Sequence, residues 1–121
     1  MKLEPSGPAA AGKIAGLIGL CKRSGHEAAG FEAAVRWITA GKASLVLLAC
    51  DLSEKTEKEL RYAARGKPAD IRRGPLDKEQ IGRALGVRKP VGVVALSDSG
   101  LAAAVRRLCR RDMEEELPYD D

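Results

Sequence analysis

Two continuous apolar runs constrain the fold of this chain more than any other feature of its sequence. They are SLVLLAC, residues 44–50, which ends at Asp51, and VGVVALSD, residues 91–98, which follows the turn-forming residues 88–90. Apolar residues succeed one another in these runs instead of alternating with polar ones, as is typical of strands buried on both faces. Because such a sheet needs a layer of helices on each side, the two runs predict an α/β fold.

Segments with helical periodicity surround the two runs. Their apolar residues recur three and four positions apart, and capping residues mark their ends. Helices are predicted to start near Lys13, Phe31, Ser53, Asp77 and Leu101. HEAAG, residues 26–30, and ADIRRG, residues 69–74, are predicted to be short extended segments. This alternation predicts a three-layer α/β/α sandwich with a small mixed four-stranded sheet.

A single domain accounts for nearly the whole chain. Its 121 residues suit one hydrophobic core, and an apolar fraction of 45% is typical of a globular protein. The predicted boundaries give a flexible leader or linker at 1–12, one α/β/α domain at 13–112, and an acidic tail at 113–121.

The stretch GPAAAGKI, residues 7–14, has the outline of a phosphate-binding loop, but its context excludes one. The lysine of such a loop is followed by Ser or Thr, which holds Mg²⁺, whereas Lys13 is followed by Ile14. The loop must also follow a buried strand, and the preceding MKLEPS is too short and too polar to form one. We therefore predict a leader that runs into the first helix, and no nucleotide hydrolase.

Few residues of the chain could support catalysis or hold a metal ion. His26 is the only histidine, and its polar, glycine-flanked surroundings indicate a surface residue. Cys21, Cys50 and Cys109 form no CxxC pair, which argues against a disulfide framework and against a zinc site. No apolar run is long enough to cross a bilayer, and no signal-peptide pattern is present. These features predict a cytoplasmic, non-enzymatic protein without cofactor or metal.

The charge of the chain indicates a polyanionic partner. The formal net charge is +4, and the body is more basic than this total because much of the acid lies after Met113. Aromatic residues are scarce, so the stacking of several bases on a sheet surface is not expected. Two groups of arginines are interpreted as solvated ends of elements: the pair Arg72 and Arg73, and the helix-end group Arg106, Arg107, Arg110 and Arg111.

Three further stretches are informative when taken together. CKRSG, residues 21–25, ends the first helix, GFEAAVR, residues 30–36, opens the second, and GVRKPVG, residues 86–92, precedes the last strand. With AGKASLVLLACD and IGRALGVRKPVGVVAL in their order, they resemble the kink-turn RNA-binding ribosomal protein superfamily of the L-seven-Ae type. The bacterial YlxQ-like branch is the most similar. The resemblance extends from Lys13 to about Cys109.

The resemblance implies an RNA site at the start of the second helix and in the loop before the last strand. In this family a glycine at the helix start admits RNA closely, first-turn side chains read a sharply kinked duplex, and the loop packs on an extruded base. The implied RNA-facing residues are Gly30, Glu32, Ala33, Arg36, Val87, Arg88, Lys89, Pro90 and Val91. Lys22 and Arg23 would widen the phosphate footprint, and Asp51 matches an acidic family position near the same surface.

Some of these positions have simpler interpretations when they are considered alone. Glu32 and Arg36 are four residues apart and would form an ordinary surface ion pair. Asp51 would be a turn or helix-capping aspartate before Ser53. In addition, the kink-turn binders carry Asn, Glu and Lys on the first turn, where this chain has Glu32, Ala33 and Arg36.

Two functions from different classes agree with these patterns. The first is a monomeric RNA-binding protein of the ribosome or translation machinery, with structured RNA and translation or transcription-coupled proteins as partners. The alternative is a protein-interaction module on the same fold without specific RNA binding, which the altered first turn and an exposed Trp37 would favour. Packing against a neighbouring helix is the simpler interpretation of Trp37. Salt dependence separates the two functions, because phosphate contacts weaken with salt more than an apolar interface does.

Overall fold

The computed structural model describes the backbone of residues 8–116 and the side chains of residues 9–109. Residues 1–7 of the predicted leader and 117–121 of the predicted tail lie outside the described residues. Between residues 8 and 116, five helices and four strands alternate. The helices are α1 (Pro8–Arg23), α2 (Phe31–Thr39), α3 (Glu54–Ala63), α4 (Lys78–Leu85) and α5 (Ser99–Glu116). The strands are β1 (Glu27–Ala29), β2 (Leu45–Leu48), β3 (Ile71–Arg73) and β4 (Val93–Leu96).

The four strands form one mixed sheet in the order β1-β4-β2-β3. Strand β4 runs antiparallel to both neighbours, with Leu45 of β2 opposite Leu96 and Leu48 opposite Val93. Strand β3 lies parallel to β2 at one edge. The two apolar runs thus supply the central pair of strands, in which every residue of β2 and β4 is buried. The predicted mixed four-stranded sheet is confirmed.

Each face of the sheet has its own hydrophobic core. Successive side chains of a strand point to opposite faces, so Leu45 and Leu47 join the first core while Val46 and Leu48 join the second. Helices α1, α4 and α5 cover the first face, and α2 and α3 cover the second. They contribute, in that order, Ile18, Ile81, Val105, Ile38 and Leu60. The predicted three-layer α/β/α sandwich is confirmed.

Several helix ends have the caps that the sequence predicts. The Ser53 hydroxyl accepts a hydrogen bond from the Thr56 N–H at the start of α3. Asp77 and Gln80 form a reciprocal capping box at the start of α4. Gly86 ends α4 in the left-handed conformation, with φ 75°, which glycine adopts without a steric penalty. These local signals therefore place the two helices correctly.

Helix α1 begins earlier than predicted, and α5 ends later. The α1 helix starts at Pro8 and not near Lys13, because alanine favours helix, proline is tolerated in the first turn, and Ala10 is buried. Since Gly12 lies inside this helix, the GPAAAGKI stretch forms no phosphate-binding loop. The α5 helix continues beyond residue 112 to Glu116, through residues that favour helix.

Two of the three cysteines behave as small apolar residues. Cys21 of α1 and Cys109 of α5 are buried in the first core, whereas Cys50 is exposed. Burial, assisted by the charges of Asp98 and Glu27, raises the pKa of the Cys21 thiol to about 11. The thiol therefore stays protonated at neutral pH and is unreactive.

Replacement of Gly82 by alanine should destabilise the protein. A Cβ at this position would collide with the carbonyl oxygen of Lys89 and lie 3.2 Å from its carbonyl carbon. We expect urea denaturation to show a loss of about 2–3 kcal/mol in the free energy of unfolding. The matched control is Gly16→Ala, whose Cβ meets no atom within 4 Å and which should be neutral or stabilising by about 0.5–1 kcal/mol. Equal stabilities of the two variants would contradict this close contact.

Candidate nucleic-acid interface

Three segments of the chain meet where β1 and β2 end and β4 begins. Both strands run antiparallel to β4 and therefore end where it starts. The Gly30 N–H donates to the Val93 carbonyl at 2.7 Å, and the Ala49 N–H donates to the Gly92 carbonyl at 2.9 Å. We call this region the strand-end surface, comprising residues 30–36, 50–52 and 87–92.

Gly30 has a backbone conformation that other residues rarely adopt. Its φ of 103° and ψ of 160° belong to a region confined almost entirely to glycine. A Cβ at this position would meet no protein atom within 4 Å. Glycine is therefore needed for the turn from β1 into α2, and its outer side is open to an approaching ligand.

The start of α2 lacks the side-chain cap that α3, α4 and α5 have. Ser53 caps α3, Asp77 caps α4, and Asp98 accepts from the Leu101 N–H at the start of α5. The N-cap residue of α2 is Gly30, and no side chain bonds to this helix start. The first N–H groups of an uncapped helix are unpaired and carry the positive end of the helix dipole. They are suited to bind a phosphate or another acceptor.

Glu32 and Arg36 lie on the exposed side of α2. Within the described side chains, they form no ion pair with each other or with any other residue. The interpretation of this couple as an ordinary surface ion pair is therefore wrong. Ala33, between them in sequence, is partly buried against the second core. A carboxylate and a guanidinium thus remain available for a ligand at the strand-end surface.

The loop between α4 and β4 presents cations to solvent and one valine to the core. Arg88, Lys89 and Pro90 are exposed, and Val87 is half-buried. Val91 is only 5% exposed and packs in the first core. The structure thus corrects the prediction that the Val91 side chain offers a surface to an extruded nucleotide, because the chain at this point already enters the buried central strand. The exposed apolar surface of the loop is reduced to Val87 and Pro90.

Two backbone hydrogen bonds hold this loop along α4. The Val91 N–H donates to the Lys78 carbonyl and the Val87 N–H to the Gly82 carbonyl, both at 3.0 Å. An open cleft of about 240 Å³ remains between loop and helix. Its lining has three cations and one acid, so it favours an anionic group. The lining residues are Glu79, Arg83, Val87, Arg88, Lys89 and Pro90.

Asp51 joins the end of β2 to the start of α4. Its Oδ1 accepts a hydrogen bond from the Lys78 N–H at 3.0 Å, and the Lys78 carbonyl in turn accepts from Val91. Asp51 is therefore a helix-capping aspartate, but for α4 and not for the α3 helix that follows it in sequence. Because its side chain is exposed, the carboxylate also contributes negative charge to the strand-end surface.

Arg73 fixes the loop after β2, a role that the sequence did not predict. Its guanidinium is surrounded by acceptors: the carbonyls of Ala49 (2.9 Å), Cys50 (3.1 Å) and Leu52 (3.1 Å) and the carboxylate of Glu57. The hydrogen bond from Arg73 is the main reason why the pKa of Glu57 lies below its ordinary value. The interpretation of this arginine as solvated is wrong. Because β3 is parallel to β2, the two strands end side by side, and Arg73 at the end of β3 reaches the backbone that follows β2.

A second group of arginines binds Asp70, which precedes β3 and lies at the other end of this strand from Arg73. The Asp70 carboxylate accepts from Nε of Arg72 at 3.0 Å and from Nε of Arg106 at 2.6 Å. Arg106 also donates to the Ser44 carbonyl at 2.9 Å, which ties α5 to the start of β2. These two arginines are therefore structural and not solvated. Of the other arginines of α5, Arg107 is exposed as predicted, and the side chains of two lie outside the described part: Arg110 and Arg111.

Lys22 and Arg23 lie at the end of β1 away from the strand-end surface. Helix α1 leads into Glu27, the first residue of β1, whose carboxylate is 3.8 Å from the Lys22 ammonium. Glu27 is opposite Leu96, the last residue of β4. His26 lies beside them and is exposed, as predicted. The structure therefore does not bring Lys22 and Arg23 together with the other predicted site residues.

The rest of the described structure shows no second chemical centre of the kinds considered from the sequence. Among the residues described, no three His, Cys, Asp or Glu side chains are placed to share a metal ion. None of the helices in the same part of the chain is both long and apolar enough to span a membrane. A groove between α1 and α4 has only Gln80 and Arg83 as polar lining residues.

Comparison with known families identifies the relatives of this chain. The sequence profile of the ribosomal protein L7Ae/L30e/S12e/Gadd45 family matches residues 12–106. The chain belongs to this family. The matched region runs from α1 into α5 and includes the whole strand-end surface. The predicted membership of the L7Ae-type family is thereby confirmed, and the assignment to the YlxQ-like branch stays a prediction.

One known protein is similar to this chain in sequence, and two solved structures are similar to it in fold. The large ribosomal subunit protein eL30 of Dictyostelium discoideum is 28% identical over 87 residues, which cover 72% of this chain and 78% of the relative. A Bacillus halodurans protein of unknown function superposes with a TM-score of 0.73 at 26% identity, covering 81% of this chain and 97% of that one. The Giardia lamblia 15.5 kD RNA-binding protein superposes with a TM-score of 0.66 at 21% identity, covering 93% and 98%. This last likeness concerns the fold.

Breaking the contact between Arg73 and Glu57 should change how stability depends on pH. Because the pKa of Glu57 is lowered in the folded protein, its ionised form stabilises the fold above the ordinary carboxyl pKa. This contribution is lost as the pH falls through that range and below it. Arg73→Met should therefore lower the free energy of unfolding by about 1–3 kcal/mol at pH 7 and by less at pH 3.

Urea denaturation at pH 7, 5 and 3 measures this effect. Arg107→Met, a change at an exposed arginine of α5, serves as the control and should stay within about 0.5 kcal/mol of the original protein at each pH. If Arg73→Met costs the same stability at all three pH values, the ion pair with Glu57 does not stabilise the fold as described.

Proposed function

We propose that this protein binds structured, sharply kinked RNA through the strand-end surface, as a non-enzymatic component of the ribosome or translation machinery. One observation carries the proposal. Gly30, the uncapped start of α2 and the cationic loop 87–90 meet at the end of the sheet where β4 starts. The family includes ribosomal proteins, and the Giardia lamblia relative is named as an RNA-binding protein. We therefore assign RNA binding to this chain at its strand-end surface.

The start of α2 and the loop offer complementary contacts to the RNA backbone. Unpaired N–H groups of α2 donate to a phosphate or a base edge, and Gly30 leaves the approach to them open. Arg36 and Arg88 each present a planar fork that can bind a phosphate or the edge of a guanine. Lys89 adds a point charge without directional preference. No described acidic side chain forms an ion pair with these three cations, so each can bind a ligand without breaking one.

An extruded base is accommodated on the outer side of the loop. Val87 and Pro90 line the open cleft of about 240 Å³ beside α4, together with Arg83 and Arg88. A base would pack on the aliphatic carbons while the cations hold its phosphate, so no aromatic cage is needed. Because Val91 is buried, this contact belongs to the tip of the loop and not to its root.

The first turn of α2 sets the selectivity of the site. Glu32 only accepts hydrogen bonds, whereas the Asn of the kink-turn binders both donates and accepts. Ala33 replaces their Glu, and Arg36 keeps the charge of their Lys with a different geometry. Within the family we assign the chain to the bacterial YlxQ-like branch, as a cytoplasmic monomer. Its partners would be structured RNA, including ribosomal RNA, and translation or transcription-coupled proteins.

A protein-interaction module without specific RNA binding is the alternative function. Trp37 favours it in the sequence, but in the structure this side chain is partly buried against the second core. The Lys42 ammonium lies 4.6 Å from the centroid of its ring and covers one face. This arrangement leaves little of the ring for a partner, and therefore it favours the RNA proposal over the alternative.

Titration of a labelled kink-turn RNA, beside an unkinked duplex of equal length, tests the proposal. We expect selective binding of the kinked RNA, and a loss of roughly tenfold or more in affinity between about 50 and 200 mM salt. Gly30→Glu and Arg88→Glu should each weaken binding at least about tenfold, because each places a carboxylate against the RNA. Lys13→Glu, at an exposed position of α1, changes the net charge by the same amount as Arg88→Glu and should have little effect on binding.

The outcomes of this titration separate the two functions. Arg88→Glu alters only an exposed loop side chain, so its effect does not depend on whether the Gly30 variant tolerates its strained backbone. Equal, weak binding of both RNAs would contradict kink-turn recognition. Weak RNA binding together with tight, salt-insensitive binding of a protein of the translation machinery would favour the alternative.

Restoring the first turn of the kink-turn binders should strengthen the binding of kinked RNA. The double variant Glu32→Asn with Ala33→Glu returns an amide that can donate to and accept from a base edge. One such paired contact is worth about a tenfold gain in affinity. Binding of the unkinked duplex by the same double variant is the matched control and should show no gain, because the two changes leave the net charge unaltered. An unchanged affinity of the double variant would show that α2 does not contact RNA in the family manner.

A further inference from the structure

We propose that the outer face of α3 is a second RNA-binding surface, which holds a single-stranded segment. The surface is a row of four exposed residues that we call the α3 stripe: Lys55, Lys58, Tyr62 and Arg65. Residues three or four positions apart share one face of a helix, so the first three follow α3 for about 10 Å, and Arg65 lies in the turn just after the helix ends at Ala63. None of its members belongs to the strand-end surface, and the stripe is therefore a separate site.

Tyr62 is the feature of the stripe that least resembles an ordinary solvated helix face. It is 67% exposed, more than any other large apolar side chain among those described. The Arg65 guanidinium lies 4.2 Å from the centroid of its ring and covers one face. The other face is open to a flat partner. Unpaired bases stack on aromatic rings of this kind, and an adjacent arginine strengthens the contact through its charge.

The cations of the stripe have no acidic partner in the described structure. Arg61, on the same helix, is paired with Glu57 at 3.0 Å, whereas no ion pair forms at Lys55, Lys58 or Arg65. Phosphates can therefore approach these three side chains without displacing a carboxylate. Their positive charge is complementary to a polyanion.

The width of the stripe favours a single strand over a broad partner. Glu54 and Glu59 are exposed and lie on opposite sides of the row, because the helical repeat places them on either flank of Tyr62. A wide acidic protein surface, or a duplex, would bring negative charge against both glutamates. A single strand is narrow enough to follow the cations between them.

The stripe begins beside the strand-end surface. Helix α3 follows residues 50–52 directly and leads to the start of β3. Because β3 is parallel to β2, it starts at the end of the sheet where β2 also starts, away from the strand-end surface. Lys55 is therefore the stripe residue closest to the strand-end surface, and Arg65 is the most distant. A strand that leaves the kinked RNA can continue along α3. This continuity rests on the proposed function, whereas binding to the stripe itself does not.

A single-stranded RNA of about ten mixed nucleotides tests the stripe directly. Tyr62→Ala should weaken its binding roughly tenfold, whereas Tyr62→Phe, which keeps the ring, should leave it nearly unchanged. Lys55→Glu and Lys58→Glu should each lower the slope of log affinity against log salt by about 0.7, the value of one phosphate contact on a single strand. Lys13→Glu on α1 controls for the change in net charge.

Crossing these variants with kink-turn RNA separates the two surfaces. Tyr62→Ala should bind a bare kink-turn RNA normally, and Arg88→Glu should bind the single strand normally. If kinked RNA fails to bind but the single strand binds through Tyr62, the proposed function is wrong and the α3 surface stands. Equal binding of the single strand by Tyr62→Ala and the original protein would overturn the inference. Preference of the stripe for a poly-glutamate peptide over RNA would overturn it as well.

Discussion

The antiparallel pairing of β2 with β4 organises both cores and the proposed RNA site. Both strands are buried on both faces, so the pair requires a layer of helices on each side. The direction of pairing also places the end of β2 against the start of β4, which brings Asp51 to the loop before Val93. The antiparallel pairing of β1 with the other side of β4 brings Gly30 to the same place. A slip of one residue in this register would exchange the side chains of the two cores and separate these segments.

Hydrogen bonds extend this order from the sheet into the loop proposed to contact RNA. Arg73 holds the backbone after β2, Asp51 in that segment caps α4, and the Lys78 carbonyl at the helix start holds Val91. The loop is therefore positioned through its backbone and not through the exposed side chains of Arg88 and Lys89. Preorganisation of this kind lowers the conformational entropy that binding would otherwise cost. It explains how a loop with exposed Arg88 can have a defined shape.

The arginines of the chain divide into two classes that share a residue type but differ in role. Arg73 and Arg106 are saturated with protein acceptors and hold segments of the fold together. Arg36 and Arg88 are exposed and form no ion pair within the described residues. Only the second class contributes to the positive electrostatic potential at the surface that a polyanion would contact. Arg65, whose guanidinium stacks on a tyrosine and has no acidic partner, belongs to this class too. Net charge alone therefore describes the partner less well than the positions of the unpaired cations do.

Local patterns in the sequence predict the kinds of element, their order and the caps at Ser53 and Asp77, because helical and strand periodicity and capping are local properties. They also identify the family, through residues close together in the chain. Tertiary structure alone decided that Arg73 binds the loop after β2, that Asp51 caps α4, and that the Val91 side chain points inward. These contacts join residues distant in sequence and depend on which strands are neighbours and in which direction they run. Strand order and register are set by the burial of the whole sheet, so no local pattern in the sequence contains them.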